Sequence, residues 1–454
     1  IFRICVRVDR FDANQPVLAD QFSLYPTRKV SEVDAGLNPT GIHPGNMGED
    51  YVVYVDDPTS PTEIVGYRDE DIWFDANGNE VTNPEILANE TNTGTIAPYL
   101  QATSEEDIQI TEETFADYEP QINVMPRVAF SFPISEEANF FANYDVLTQR
   151  PTSGVLTTLD DYFYLQQRAT TVKPNPALRP ERRTNYELGF KQRLGTFSAL
   201  TITAFYSEIR DLVQLRNINQ AYPISYTTYE NIDFGTVKGL TLTYDLRRSP
   251  RSNIQLQANY TLQFADGTGS SAVSASSLIQ AGQPNLRTPF PLDYDIRHNF
   301  VTNIDYRFGG GRNYNGPIIG DNFKIFENTG LNIIFRARSG RPYSPQRNIT
   351  QDVSIGIRQN AQLDGTINGA RRPFFLNLDL RLDRDYPIFK NTGSEEGGNE
   401  KRSQIAMLNL YVWVQNVLNL DQVRNVYRFT GTPDDDGFLS SQEGQQQAEA
   451  QVVP

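Results

Sequence analysis

Soft-metal and imidazole chemistry has almost nothing to work with in this chain. It has one cysteine, Cys5, and two histidines, His43 and His298, in 454 residues. One cysteine excludes an intrachain disulfide and a cysteine-based zinc site. The two histidines lie far apart in sequence, and Cys5 sits in an apolar run that reads as packing. Long hydrophobic runs are missing as well. No stretch approaches the roughly 18–20 unbroken apolar residues of a transmembrane helix, which excludes a helical membrane protein. Positive charge is also scarce: 40 Lys and Arg against 56 Asp and Glu leave a net charge of −16. A phosphate backbone would repel such a chain, so nucleic acid is not an expected partner. No nucleophile elbow or triad spacing is visible. Carboxylate pairs such as Asp160-Asp161 lie in loops, where solvated charge is the ordinary reading. The chain is therefore not expected to be an enzyme. It opens directly on a strand pattern, Ile1-Phe2-Arg3-Ile4, with no signal peptide in front, which suggests a start within a longer protein.

Alternation is what the sequence does have. Its mean hydropathy is low, −0.49, yet 23 Tyr and 26 Phe make it rich in aromatics. A membrane β-barrel combines both properties, and on composition alone an aromatic-rich soluble β-protein fits equally. The barrel's strands turn alternate residues to lipid and to a polar lumen, and its aromatics gather in interfacial girdles. In 252–263, Ile254, Leu256, Ala258, Tyr260 and Leu262 alternate with polar residues, and 240–247 and 374–383 repeat the pattern. Successive strand side chains point to opposite faces, so each segment has one apolar and one polar face. The pattern predicts about eleven strands: 2–9, 126–133, 138–147, 183–194, 197–207, 236–247, 252–265, 294–308, 328–338, 371–384 and 403–416.

The connections alternate in length. Long ones are read at 10–125, 148–182, 208–235, 266–293, 339–370 and 417–454. Between them come short turns at Ser135-Glu136-Glu137, Gly195-Thr196 and Ser249-Pro250-Arg251, and intermediate links at Gly309-Gly310-Gly311 and 385–402. Short periplasmic turns and long extracellular loops are the habit of outer-membrane barrels. A soluble β-sandwich has no reason to gather its long loops at one end. Within the first loop, Tyr51–Val55 and Glu63–Tyr67 suggest a small hairpin.

The stretch Pro174-Asn175-Pro176-Ala177-Leu178-Arg179-Pro180-Glu181, running on to Tyr186-Glu187-Leu188-Gly189-Phe190-Lys191, resembles the NPxLxPE…YExGxK segment of TonB-dependent outer-membrane receptors. The segments at 124–133, 141–145 and 294–300 look like the same family, especially its large Bacteroidetes-type members. Val414-Gln415-Asn416-Val417-Leu418-Asn419 resembles a signature near the end of such barrels. The resemblance covers about residues 1–10 and 120–430.

The resemblance implies an all-β, antiparallel transmembrane β-barrel of the 22-stranded type, present here as a partial chain without its plug domain, TonB box or closing strand. On that count the eleven strands are numbers 11 to 21. The implied function is active uptake of a bulky or scarce nutrient: a siderophore, cobalamin, an oligosaccharide or a peptide. The implied setting is the outer membrane of a Gram-negative bacterium. The implied partners are outer-membrane lipids, the TonB complex acting through the plug, and a surface lipoprotein lid. Two alternatives compete: an outer-membrane structural or surface-binding barrel without transport, and a soluble carbohydrate-binding sandwich.

Three groups of residues are candidates for chemistry. Tyr162, Phe163 and Tyr164 in one long loop, and Tyr222, Tyr226 and Tyr229 in another, offer flat rings for stacking on a ligand; an interfacial girdle or loop packing is the competing reading. Arg336, Arg338, Asp379 and Arg381 should face the lumen, because Arg facing lipid at mid-membrane costs about 2–4 kcal/mol. Asp434, Asp436 and Glu443 match positions 3, 5 and 12 of a calcium loop, against an ordinary turn. Asp75-Ala76-Asn77-Gly78-Asn79 is a weaker calcium candidate, with an Asn-Gly turn as the competitor. No other cofactor is expected.

Overall fold

The computed structural model describes residues 1–91, 94–151, 161, 172–274, 276, 279, 288–320, 323–349, 362–394, 400–442, 444–446 and 449. Eleven long strands dominate it. They are β1 (Phe2–Phe11), β2 (Gln121–Pro133), β3 (Ala138–Gln149), β4 (Glu181–Gly195), β5 (Ser198–Ile218), β6 (Tyr226–Leu246), β7 (Ile254–Gly267), β8 (His298–Arg307), β9 (Thr329–Arg338), β10 (Phe375–Ser394) and β11 (Glu400–Val414). Each pairs antiparallel with the next in sequence, so the sheet is one continuous meander from β1 to β11. All eleven segments predicted from alternation are strands here.

Two of the expected connections are much shorter than their sequence suggested. The loop read at 208–235 shrinks to 219–225, because β5 and β6 run on as a tall hairpin. The link read at 385–402 shrinks to 395–399 in the same way. In the first case the cause is irregular register. The ladder slips between Ile209 and Leu212 and again between Leu212 and Val213, and Asp211 takes a positive φ of 59°. Such bulges break period-2 patterning locally without ending the strand.

Directly opposed residues in an antiparallel ladder share a face. One face carries Asn259, Val301, Arg336 and Asn377 in successive register, with Asp379, Arg381 and Asp383 along β10. The other face carries Tyr260, Phe300, Ala337 and Leu376, and Ile304, Ile333 and Leu380. The apolar face is open: Ile4 is 64% exposed, Leu188 56% and Leu382 52%. An apolar surface of that extent is at home against lipid rather than water. On the polar face Gly189 lies opposite Phe141, and the Phe141 ring fills the place where a Cβ would sit.

The connection between β1 and β2, residues 12–120, is a folded insert. Its centre is the hairpin expected at 51–67, realised as Val52–Val55 and Ile64–Asp69. Three further short strands, Ile72–Asp75, Glu80–Val81 and Ala97–Pro98, complete a five-stranded sheet. Val17–Leu18 pairs with Phe115–Ala116 and closes the base. The insert has its own buried apolar clusters, one around Phe22, Leu24, Tyr54, Trp73 and Leu87 and one around Val53, Val55, Ile64 and Tyr67. It also segregates charge. Residues 12–120 hold 3 basic and 23 acidic side chains, a formal −20, while the other 345 residues hold 37 and 33, a formal +4.

Candidate functional site

The polar face of the sheet is knitted by side chains that meet across strands. Arg127 reaches Asp145 at 3.1 Å, and Asn143 donates to Glu187 at 2.8 Å. Ser207 donates to Asn185 at 2.7 Å and Thr243 to Asn259 at 2.8 Å. Arg307 bridges Asp383 and Asp385 at 2.6 and 2.9 Å. A concavity of about 530 Å³ opens over β1 to β5, lined by Arg3, Arg127, Asn143, Glu187 and Ser207 among others. A surface of this kind solvates or holds polar matter.

Arg336, Arg338, Asp379 and Arg381 all fall on this face. Arg336 donates to Asp379 at 2.7 Å. Arg338 stacks over the Phe375 ring at 4.2 Å, and Arg381 over Tyr411 at 4.4 Å. Asp379 is buried, and it also accepts from Asn377 Nδ2 at 2.9 Å and from the backbone N–H of Asn416 at 3.0 Å. Asn416 takes a positive φ of 51° and exchanges hydrogen bonds with the Leu420 backbone. The terminal motif thus turns the chain away from β11 by fastening it to Asp379 on β10.

The rim of the sheet is the second part of the site. The insert leans on the tip of the β5–β6 hairpin, and Ile218 and Tyr226 join its apolar cluster. Backbone bonds run from Leu24 N–H to the Tyr222 carbonyl and from Tyr222 N–H to the Phe22 carbonyl, both 2.9 Å. Arg216 pairs with Glu230 at 2.6 Å and with Asp71 of the insert at 3.1 Å. The Pro174–Glu181 motif is stitched to β6 beside them. Asn175 donates to the Tyr229 carbonyl at 2.9 Å, and Asn231 accepts from Arg179 N–H at 2.8 Å. A cavity of about 270 Å³ lies where the three meet, lined by Leu18, Gln21, Pro174, Asn175, Tyr226 and Thr228 among others.

These contacts assign the tyrosines to different environments. Tyr226 is 5% exposed and its hydroxyl donates to the Gln21 carbonyl at 2.8 Å. Its ring belongs to the core rather than to an open stacking surface, because the insert covers it. Tyr222 sits in the hairpin turn with its ring edge-on to Tyr25. Tyr229 is half-buried in β6 opposite Leu215. Tyr162, Phe163 and Tyr164 lie outside the described residues. Sequence reasoning missed Arg216, Asp71 and Glu230, since partners so distant in the chain leave no local pattern.

Inside the insert, burial meets compensating partners. Arg68 is enclosed by Phe22, Tyr54 and Trp73 and pairs with Asp20 and the Tyr54 hydroxyl. Burial would lower its affinity for a proton, but Tyr54 and Asp20 more than reverse that and hold it raised. Burial pushes the Tyr54 phenol up. Burial would also raise the Asp56 carboxyl. The Thr62 hydroxyl and the N–H groups of Glu63 and Thr62 outweigh it and hold the group below the usual carboxylate range.

The calcium candidates take turn geometry. The Asp75 carboxylate accepts the N–H groups of Asn77 and Asn79, both at 2.9 Å, with Gly78 at a φ of +83°. Asp436 accepts from Phe438 N–H at 2.9 Å, and Asp434 is exposed in the same turn; Glu443 lies outside the described residues. Among the described residues, no three His, Cys, Asp or Glu side chains are gathered to hold a metal ion.

Comparison with known proteins yields a family. Residues 111–417 match the model of the TonB dependent receptor-like β-barrel. A search of curated protein sequences matched nothing. Among solved structures, the chain is similar to the ferric-catecholate import receptor Fiu from Escherichia coli K12, at 14% identity and a TM-score of 0.36, over 69% of this chain and 38% of that one. It is similar to the outer-membrane transporter YddB from Escherichia coli, at 11% identity and a TM-score of 0.40, over 65% and 40%. The ferripyoverdine receptor of the Pseudomonas aeruginosa outer membrane matches at 11% and 0.38, over 66% and 34%. The chain thus spans about two-fifths of the length of the first two of these structures. Its eleven-stranded antiparallel sheet is a receptor barrel sheet, and the chain belongs to the TonB dependent receptor-like β-barrel family.

Proposed function

We propose that this chain is the barrel portion of an outer-membrane receptor that takes up a bulky or scarce nutrient with energy from the TonB complex. The nutrient class is a siderophore, cobalamin, an oligosaccharide or a peptide. The observation that carries the reading is the two-faced sheet inside the family match: open apolar residues on one side, an ion-paired polar surface on the other. The polar face, with Arg336, Arg338, Asp379 and Arg381, is the wall of the solute path or the seat of a plug. Tyr222 and Tyr229, with Tyr162, Phe163 and Tyr164, are the ring-bearing candidates at the extracellular rim. Asp434, Asp436 and Glu443 remain the calcium candidates of the last loop. The partners are outer-membrane lipids, TonB acting through a plug, and a surface lipoprotein lid. The setting is a Gram-negative outer membrane, where this family is found.

A folded insert on the rim supports a second reading, a surface-binding barrel without transport. Growth separates the two. The full-length protein is expressed in a host lacking its own receptors, with ferric siderophore, cobalamin or an oligosaccharide as the sole source of iron, vitamin or carbon. Growth on one of these that disappears when TonB is deleted supports transport. Surface binding of the same solutes with no TonB-dependent growth sinks it.

A further inference from the structure

The connection between β8 and β9, residues 308–328, lies at the same end of the sheet as the short turns, yet it is much longer than they are. It is folded around aromatics. Tyr306 belongs to the apolar face of the sheet, opposite Ile254 and Leu331. Phe308 follows two residues on, in the same phase, and its N–H still bonds to the Thr329 carbonyl at 2.9 Å. Its ring packs on Tyr306 at 5.1 Å, on Phe326 at 5.5 Å and on Tyr314 at 6.0 Å. The Tyr314 hydroxyl donates to the Pro317 carbonyl at 2.6 Å, and Lys324 is tied to the Gly311 carbonyl at 2.7 Å. Beyond this cluster a short hairpin, Ile318–Ile319 with Phe323–Lys324, projects its apolar side chains outward. Ile319 is 58% exposed and Phe323 64%.

We infer that this connection is an interfacial wedge that seats in the headgroup and upper acyl region of the membrane leaflet on the turn side of the barrel. Its occupant is lipid because the apolar face of β8 and β9 runs on into it: Leu331 opposes Tyr306, Tyr306 packs on Phe308 and Phe308 on Phe326, and the same connection carries the exposed pair Ile319 and Phe323. Aromatic and aliphatic side chains exposed beside a membrane-facing surface are the composition that partitions into that interface. Glu327 lies 3.7 Å from Lys324, and that pairing lowers the cost of bringing the two charges to the interface. The inference rests on the barrel reading and goes beyond it, since the strands alone require only a short turn here.

Fluorescence quenching tests it. The full-length protein with Cys5→Ser and any cysteine outside this chain also replaced by Ser receives a single nitrobenzoxadiazole label at Ile319→Cys or Phe323→Cys, in vesicles of phosphatidylethanolamine and phosphatidylglycerol. Leu382→Cys on the apolar face and Arg251→Cys in the β6–β7 turn serve as references. Lipids brominated in the upper acyl chain should quench the labels at 319 and 323 several-fold more than at 251, and aqueous iodide should show the reverse order. Labels at 319 and 323 that behave like 251, with 382 quenched by bromolipid, would overturn the wedge alone. Protection from both quenchers would assign the patch to a protein partner and overturn it too. Loss of lipid quenching at 382 as well would overturn the barrel reading and the wedge with it.

Discussion

The Tyr226 hydroxyl on β6 donates to the Gln21 carbonyl of the insert at 2.8 Å, across 205 residues of chain. With Ile218 beside it, this side chain is where a loop domain and a barrel hairpin share one apolar core. Two connections at the same end of the sheet are thereby fused into a single body.

Tyr226→Ala should undo that fusion. Removing a large buried aromatic typically costs about 3–5 kcal/mol. Hydrogen exchange should accelerate across residues 52–75 and at the hairpin tip while β8 and β9 keep their protection. Equal acceleration everywhere would mean the insert is integral to the barrel's own stability.

On the polar face, Asp379 should matter more than its cationic partner. Arg336 is 42% exposed in its side chain, so solvent screens the pair and Arg336→Ala should cost only about 1 kcal/mol. Asp379→Ala also strands the Asn416 N–H and should cost about 1–3 kcal/mol. Thermal unfolding of the full-length protein in detergent orders the two; a larger loss for Arg336→Ala would contradict the role given to Asn416.

Adjacent residues on β6 should respond oppositely to the same charge. Leu242 lies on the apolar face and Thr241 on the polar one, opposite Thr261. Leu242→Arg should cost about 2–4 kcal/mol of folding in lipid, and Thr241→Arg should be nearly silent. Heat-modifiable gel mobility after refolding into vesicles gives the folded fraction of each, and matched yields would mean the faces are misassigned.

Acid should loosen the insert through Asp56. Its folded-state affinity for protons is lowered, so the carboxylate contributes stability above the unfolded value, about 4 for aspartate. That contribution is lost as pH falls through the lower folded value. The protection of the Thr62 and Glu63 amides, taken relative to the intrinsic exchange rate at each pH, should fall below about pH 4 in the native protein. In Asp56→Asn that protection should already be low at neutral pH and change little on acidification.

The strands were legible because each presents two chemically distinct faces, and period 2 survives wherever the ladder is regular. Where a bulge shifts the phase, as at Ile209–Val213, the chain reads as loop although it stays paired. The insert was legible only as its central hairpin. Its other strands are two to four residues long, and its core residues, such as Phe22, Trp73 and Leu87, are scattered singly among polar neighbours. The polar-face charges were legible from alternation, but their pairing was not, since Arg336 and Asp379 meet only through the register of β9 on β10. Tyr226 read as a loop ring; nothing local announces that Phe22, Leu24 and Trp73 of the insert will pack against it.

Segregated charge has a practical corollary at the bench. The composition of these 454 residues corresponds to an isoelectric point of about 4.7, but that acidity resides in the insert, and residues outside 12–120 are formally slightly cationic. Anion-exchange retention and isoelectric position therefore follow one loop domain, and clipping it away would send the remaining strands to the opposite electrode.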